Sequence, residues 1–289
     1  MNIFLTGGSG FIGSHFLKQA LAAGHTVRAI RRSRVSHPDI TIGRQLEWLN
    51  SQLDEVSADD LKGCEVLVHL AAHSVQYPFD SLANCLRYNL IAVLNLFEQA
   101  RLAGICRFVV AGSCFEYGRS AERYEFIPTH APLEPTNSYA VSKAAVSIAL
   151  YQWAEEHKLN LEVVRVFHVY GEGEAETRFW PSLRRAALAG EDFPMTAGEQ
   201  IRDFIPVERV AHSFLRRATS EILDPFSVHV YNLGTGKPRS LLSFARDWWA
   251  SWNAKGCLMD GVIPYRENET MRYVPGDMLL IAGNGLVVS

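Results

Sequence analysis

The sequence has few cysteines, little net charge and no long apolar run. Its five cysteines, among 289 residues, show no CxxC or similar metal-ligand spacing, which favours reduced thiols in a cytoplasmic protein and predicts no metal site. A formal net charge of -3 argues against nucleic-acid or membrane partners attracted by charge. No apolar run reaches the roughly 20 residues that span a bilayer, and the first residues read as a β-strand rather than a signal peptide. We therefore expect a cytoplasmic protein that binds neither nucleic acid nor a membrane.

What the sequence does contain is the pattern of an α/β protein. Hydrophobic residues make up 48% of it and charged residues 20%, as in ordinary globular domains. Up to Gly171, short apolar runs alternate with longer helical patterns, which predicts a doubly wound, Rossmann-type parallel sheet. We place this domain at 1–171 and expect 172–289 to be mainly a smaller lobe that binds the substrate. Strand-like runs near 204–207 and 228–233 leave open that part of the second region folds back onto the first.

A glycine-rich turn follows the first predicted strand. Glycines occupy positions 7, 10 and 13, between an apolar run at 3–5 and a helical pattern from about residue 12. The first glycine permits a tight turn, the second lets the backbone approach a pyrophosphate, and the third allows close packing of helix on sheet. The helix N-terminus offers free N–H groups to phosphate. The turn alone is weak evidence, but its place between strand and helix predicts a dinucleotide cofactor.

Two arginines at the end of the second predicted strand indicate which dinucleotide binds. NAD-binding proteins normally place Asp or Glu there to accept a hydrogen bond from the ribose, and such a carboxylate would repel the 2′-phosphate of NADP. This chain instead has Arg31 and Arg32, and its next acidic residue is Asp39. Guanidinium groups match phosphate in charge and geometry. We predict NADP(H), while a solvated basic turn stays open as the alternative.

A catalytic site is indicated by Tyr139 and Lys143, four residues apart on a predicted long helix, and by Ser113 after a buried strand. Residues at i and i+4 share a helical face, so the phenol and the ammonium can address one site. A neighbouring cation lowers the pKa of a phenol and brings it closer to proton exchange near neutral pH. Ser113 would lie at the carboxyl edge of the sheet, where ligands bind. A Tyr-x-x-x-Lys pair also arises by chance, but together with the glycine turn it predicts an active site.

With these motifs in this order, the chain resembles the extended short-chain dehydrogenases/reductases, also called the NAD-dependent epimerase/dehydratase family. Further motifs of that family match here at 68–72, Asn89, Gly112-Ser113 with Tyr117-Gly118, 165–171 and 202–207. The resemblance covers nearly the whole chain. It implies a Rossmann-type domain, a small lobe that grips a nucleotide diphosphate sugar, and a homodimer formed through a helical bundle.

The resemblance also implies a set of site residues. The catalytic residues would be Ser113, Tyr139 and Lys143. The cofactor-binding residues would be Gly7, Gly10, Phe11, Ile12, Gly13, Arg31, Arg32, Leu70, Ala71, Ala72, Asn89, Tyr139, Lys143, Phe167 and His168. The substrate-binding residues would be Ser74, Ser113, Cys114, His168, Arg202 and Arg272. The two arginines of this last set are expected at the pyrophosphate, although either could be a solvated surface residue.

Departures from the family pattern narrow the reaction. The family's 4,6-dehydratases keep an Asp-Glu pair after the catalytic serine or threonine, whereas this chain has Cys114 and Phe115, which disfavours dehydration. His168 replaces the usual asparagine, and Glu208-Arg209 replaces an expected aspartate. With the arginine turn, the pattern is similar to that of reductases for nucleotide-linked 4-keto-6-deoxyhexoses, such as those that make CDP-abequose or CDP-paratose. We therefore predict an NADPH-dependent 4-keto-reductase. An NDP-sugar epimerase and a non-catalytic NADP-binding regulator remain the alternatives.

Overall fold

The computed structural model describes residues 1–36, 46–221, 226–267, 269–282 and 285–288. In chain order its strands are β1 (Asn2–Thr6), β2 (Thr26–Arg31), β3 (Leu46–Asn50), β4 (Val66–His69), β5 (Arg107–Ser113), β6 (Asn160–Val166), β7 (His168–Tyr170), β8 (Phe193–Pro194), β9 (Ile201–Pro206), β10 (Val228–Leu233), β11 (Pro238–Ser240), β12 (Leu258–Met259), β13 (Arg272–Tyr273), β14 (Leu279–Ala282) and β15 (Gly285–Val288). The α-helices are α1 (Phe11–Ala22), α2 (Leu82–Leu86), α3 (Ala92–Leu102), α4 (Ser138–His157), α5 (Phe179–Ala189), α6 (Val207–Thr219) and α7 (Leu241–Ser251).

Seven strands form the main sheet, in the order β10-β6-β5-β4-β1-β2-β3. All neighbouring strands in it run parallel. The strand order reverses at β1 and β4, and ligands of such sheets bind at the carboxyl ends of the strands beside that reversal. The predicted Rossmann-type α/β fold is confirmed.

The central strands bury alternate residues on the two faces of the sheet. In β4, Val66 and Val68 join one apolar cluster, with Phe16 of α1 and Phe214 of α6. Leu67 joins the cluster on the other face, which is completed by α3 and α4. Burial on both faces is the reason that these strands read as continuous apolar runs. It also gives the strand ends that carry the candidate site a rigid support.

The chain after Gly171 contributes to both parts of the molecule. Strand β10, from the run near 228–233, lies beside β6 in the main sheet, and α6 shares an apolar cluster with α1. The run near 204–207 behaves differently, because β9 pairs with β7, β11 and β13 in a small separate sheet. Strand β7 follows β6 immediately and leads the chain out of the main sheet, so its backbone groups are free to pair with β9. Helices α5 and α7 pack together beside this small sheet.

One predicted helix departs from its expected form. The pattern at 86–103 predicts a single α-helix, but the helical segment starts at Leu82 and takes π geometry over Arg87–Ile91 before α3 begins. The wider π turn holds Asn89 in the interior, where it is buried. Propensity alone does not signal a π turn, which is common at functional sites.

Candidate active site

The turn between β1 and α1 has the geometry of an anion-binding turn. Gly7 has φ +74°, and a Cβ there would lie 2.6 Å from the backbone nitrogen of Ala71. A Cβ on Gly13 would lie 2.0 Å from the carbonyl oxygen of Gly7. Gly10 is the N-cap residue of α1. Because glycine has no side chain that could accept hydrogen bonds, N–H groups of the first helical turn remain available to an anion. Phe11 and Ile12 open that helix. These features fit the pyrophosphate of a dinucleotide.

A cationic side chain lies at the carboxyl end of β2. Arg31 donates from Nε to Oδ1 of Asn50 at 2.9 Å, and its guanidinium carbon lies 4.9 Å from the centre of the Trp48 ring. Both partners belong to β3, the neighbouring strand. Arg32 and Arg34 are exposed beside it. Stacking on Trp48 holds the planar guanidinium of Arg31 at the edge of the sheet.

The segment after β4 closes over the glycine turn. Leu70 and Ala71 lie directly against Gly7, and Ala72 is exposed. Asn89 ties this segment down, because its Oδ1 accepts from the His73 N–H at 2.6 Å and its Nδ2 donates to the His73 carbonyl at 3.0 Å. Nδ2 also donates to the Ser142 hydroxyl at 2.9 Å. Both amide hydrogens of Asn89 are therefore engaged within the protein, and this side chain positions the segment.

The structure brings Ser113, Tyr139 and Lys143 together. Ser113 ends β5, and the other two lie one turn apart on α4; all three are buried. Lys143 donates from Nζ to the carbonyl oxygen of Ala111 at 2.6 Å, so β5 anchors the ammonium. Asn137 starts α4, its side chain accepting from the N–H of residue 140 at 2.9 Å. This N-cap fixes where the helical face with the tyrosine begins.

Burial governs the ionisation of the catalytic groups. It raises the pKa of Tyr139 to about 12, against a lowering by a hydrogen bond with Ser113. The expected lowering by Lys143 is therefore not found in this structure, because burial of the phenol outweighs the nearby charges. Burial lowers the pKa of Lys143, against a raising effect of Glu116. His69 lies nearby, and burial together with the charge of Lys143 lowers its pKa to about 3. Without a bound cofactor, the phenol therefore keeps its proton at neutral pH and can act as a proton donor.

A buried ion pair supports the serine from behind. Arg165 Nε lies 2.9 Å from Glu116 Oε2, and the side chains of Glu116 and Arg165 are 0% and 6% exposed. Glu116 Oε1 accepts from the Ser113 N–H at 2.7 Å, while Arg165 donates to the Tyr117 hydroxyl at 2.9 Å. Sequence reasoning missed Glu116 as a support, although Ser-x-x-Glu is a recognisable capping pattern. Because Arg165 holds the Glu116 carboxylate and that carboxylate accepts from the Ser113 N–H, the pair positions the turn that carries Ser113.

The two residues that follow Ser113 supply no acid or base. Cys114 is buried, and burial raises the pKa of its thiol to about 12. The Phe115 ring packs edge-on against His168 at 5.9 Å and Tyr273 at 5.5 Å. Burial and the charges of two arginines lower the pKa of His168 well below its ordinary value, so the imidazole is neutral. Its Nδ1 is buried without a hydrogen-bond partner among the described residues, and can therefore serve a ligand.

Other predicted residues frame this group. Phe167 is buried in the apolar cluster beneath Cys114 and Tyr117. Ser74 has φ +61°, and its hydroxyl accepts from the Asp80 N–H at 2.7 Å, which folds the loop that carries Phe79. The Phe79 ring stacks on that of Tyr139 at 6.1 Å and 10°. Phe79 does not stand out in the sequence, because no local pattern shows which loop side chain reaches the tyrosine.

The arginines of the second region are not equally available. Arg202 is 6% exposed, pairs with Glu269 at 2.9 Å and donates to the Thr270 carbonyl at 2.7 Å. Arg272 donates to the Glu125 carbonyl at 2.9 Å. Arg178, not predicted, pairs with Glu174 at 3.5 Å but keeps a side chain that is 45% exposed, and its charge lowers the pKa of Tyr139, Cys114 and His168. Arg178 is therefore the more available cation beside the catalytic group.

Comparison with known proteins assigns this chain to a family. The model of the NAD dependent epimerase/dehydratase family matches residues 3–234. The chain belongs to this family. The predicted resemblance is thereby confirmed, and the family's nucleotide-sugar enzymes carry out epimerisation, dehydration and oxidation or reduction with a nicotinamide dinucleotide.

Several members of the epimerase/dehydratase family are similar over most of the chain. A dTDP-6-deoxy-L-talose 4-dehydrogenase (NAD(+)) from Aggregatibacter actinomycetemcomitans is 27% identical over 94% of this chain and 98% of its own. A CDP-abequose synthase from Salmonella typhimurium is 29% identical over 84% of this chain and 78% of its own. The structure of MoeE5 in complex with UDP-glucuronic acid and NAD superposes with a TM-score of 0.82 at 26% identity, over 96% of this chain and 90% of that one. Different reactions are represented, so membership alone does not select among them.

Proposed function

We propose that the protein reduces the 4-keto group of a nucleotide-linked 4-keto-6-deoxyhexose with NADPH. The observation that carries this proposal is the protonated Tyr139 beside Ser113, followed by Cys114 and Phe115. A 4-keto-reductase needs a proton donor and a carbonyl partner, which the tyrosine and the serine supply. Removal of water from the sugar would need a further acid and base. The buried thiol and the phenyl ring offer neither, since the pKa of the thiol is raised to about 12.

Bound NADPH would supply the hydride that goes to C4 of the sugar. Ser113 would donate a hydrogen bond to the 4-keto oxygen and hold it toward the tyrosine. Tyr139 would give its phenolic proton to that oxygen as negative charge develops there. Lys143, anchored on the Ala111 carbonyl, would stabilise the resulting phenolate and hold the nicotinamide ribose. Burial lets these charges act in a medium of low dielectric.

Arg31 and Arg32 support NADP(H) in preference to NAD(H). The stacked guanidinium of Arg31 and the exposed side chain of Arg32 lie at the end of β2, where the adenosine ribose of a dinucleotide binds in Rossmann folds. Two cations favour a 2′-phosphate through charge-assisted hydrogen bonds. Relatives in this family include enzymes named for NAD, so this preference is a property proposed for this chain.

Residues 172–289 would provide most contacts with the sugar nucleotide, and the active form would be a cytoplasmic homodimer. The part of the chain that the structure describes has no helix capable of crossing a membrane. Apolar side chains are exposed on the helical segments near the site: Tyr88, Ile91, Ile148 and Tyr151. Burying such a face against a second copy would remove it from water. Sedimentation of the wild type and an Ile148→Glu variant tests this, because only the wild type should sediment as a dimer.

The reaction is tested by incubating the protein with NADPH and a panel of NDP-4-keto-6-deoxyhexoses. The expected result is loss of the nicotinamide absorbance with one NADPH consumed per sugar reduced. Protein as isolated should be largely free of cofactor, because a consumed co-substrate dissociates in each cycle. Tightly held NAD and epimer formation without added NADPH would identify an epimerase. Cofactor binding without turnover of any sugar would favour a regulator.

A further inference from the structure

A pocket lies between the small sheet and α7, outside the group formed by Ser113, Tyr139 and Lys143. It encloses about 430 Å³, and its floor is aromatic, formed by Tyr170, Phe204, Phe244 and Trp248. Phe204 separates it from the catalytic side, since its ring contacts His168 at 6.1 Å on one side and stacks on Phe244 at 3.9 Å on the other. All of its lining residues except Tyr170 belong to the region 172–289, but none of the individual residues named above for the cofactor or the sugar is among them.

Three cations surround this aromatic floor: Arg209, Lys237 and Arg239. Arg239 pairs with Asp247 and lies 5.6 Å from the centre of the Phe244 ring. Arg209 and Lys237 are exposed, and neither side chain has a hydrogen-bond or ion-pair partner within the described ranges. Of the Glu208-Arg209 pair that stands where the family pattern expects an aspartate, Arg209 lines this cavity.

The pKa of the Tyr170 phenol is shifted by burial and by the charged groups around the pocket. Burial raises its pKa and Glu208 raises it further, whereas Arg239 and Arg209 lower it. The two arginines belong to different elements, Arg239 to β11 of the small sheet and Arg209 to α6. The acidic groups nearby are Asp247, which is held by Arg239, Glu208, which lies 4.0 Å from His15, and the buried Asp203, whose carboxylate accepts from the backbone N–H groups of Thr235 and Lys237. Each acidic group thus has a partner, and the side chains of Arg209 and Lys237 remain as the cations available at the rim.

We propose that this pocket binds a nucleotide, through its phosphate and its flat ring, at a site separate from the catalytic one. Arg209 and Lys237 would pair with the phosphate, which they can reach from the rim without breaking an existing ion pair. Trp248 and Tyr170 meet edge to face, at 5.8 Å and 70°, and would offer ring surface to a base. The volume lies within the range of small-ligand pockets. This proposal does not depend on the reaction catalysed.

Titration calorimetry with AMP, UMP and inorganic phosphate tests the proposal, using protein saturated with NADP(H). The comparison is between the wild type, Arg209→Ala with Lys237→Ala, and the control Arg246→Ala. Arg246 lies on the same helix as Trp248 but pairs loosely with Asp260, at 3.9 Å, away from the pocket. Because Arg209 and Lys237 are exposed, the double variant should fold, and an unchanged thermal unfolding curve verifies this.

A nucleotide should bind the wild type and the control equally, and the double variant at least about tenfold more weakly, as expected when charge-assisted hydrogen bonds are removed. Inorganic phosphate should bind more weakly than the nucleotide, because it lacks the ring. Binding that persists unchanged in the double variant would place the nucleotide elsewhere and overturn the proposal. Absence of binding to the wild type at millimolar concentration would overturn it as well.

Discussion

The cofactor side and the substrate side of this molecule position their charged and polar groups in different ways. On the cofactor side, the backbone of a short turn makes the site, and neighbouring residues in the sequence form it: a Cβ on Gly13 would collide with the Gly7 carbonyl at 2.0 Å. On the substrate side, the availability of an arginine depends on distant partners. Arg202 is held by Glu269, whereas Arg178 is 45% exposed. The local sequence pattern therefore predicts the geometry of the glycine turn on the cofactor side, but it does not predict which arginines are exposed on the substrate side.

The largest effect is expected at Tyr139, where the two sides meet. Tyr139→Phe removes the proton donor and should lower turnover by about 10²–10⁴-fold, while cofactor affinity, which depends on the glycine turn, stays near that of the wild type. Steady-state NADPH oxidation and cofactor titration measure the two quantities. Tyr124→Phe, at a half-buried position outside the catalytic group and the proposed dimer face, is the matched control. Wild-type turnover in Tyr139→Phe would mean that the proton comes from elsewhere.

Breaking the buried pair behind the serine should have the next largest effect. Glu116→Ala leaves Arg165 buried without its carboxylate and should lower the free energy of unfolding by about 3–5 kcal/mol. Urea denaturation measures it. Asp59→Ala is the control, because its pair with Lys62 lies at the surface, with side chains 81% and 72% exposed, and contributes far less. Equal losses in the two variants would show that the burial of Glu116 adds nothing.

The two arginines at the end of β2 test how far local pattern decides the cofactor. Arg31→Ala with Arg32→Ala should weaken NADPH binding by about 1–3 kcal/mol for each arginine removed, with little change for NADH. Arg34→Ala, also exposed, serves as the control for overall charge. Fluorescence titration with both cofactors measures the difference. Equal affinity of the wild type for NADH and NADPH would contradict the predicted preference.

The smallest effect concerns a carboxyl on the substrate side. Burial raises the pKa of Glu174 from 4.5 to about 7, so the folded state favours its protonated form. The corresponding stability is complete below pH 4.5 and is lost as pH rises through 7. Glu174→Gln should remove this loss, worth up to about 3 kcal/mol, from the pH dependence of unfolding. Glu176→Gln, with a side chain 76% exposed, should leave the dependence unchanged. Identical profiles for the wild type and Glu174→Gln would contradict the assignment.

Much of the fold follows from the apolar pattern alone. Strands such as β4 are buried on both faces, and they read as continuous apolar runs flanked by helical periods. The run near 204–207 is harder to place, because its pairing with β7 depends on where the chain leaves the main sheet. Around the site, Ser113, Tyr139 and Lys143 are visible as a motif with fixed spacing. Phe79 and Arg178 are not, because they approach the tyrosine from loops whose paths depend on tertiary contacts.

The sequence by itself determined the parallel sheet, the glycine turn and the catalytic spacing. Each of these depends on periodicity or on steric limits between residues close in the chain. Tertiary structure alone decided how far each charge is exposed. Arg202 and Arg178 each pair with a glutamate, yet Arg202 is buried with Glu269, whereas Arg178, paired with Glu174 at 3.5 Å, keeps a side chain that is 45% exposed. Solvation and Coulomb interactions depend on neighbours brought together from distant positions, and no local pattern encodes those neighbours.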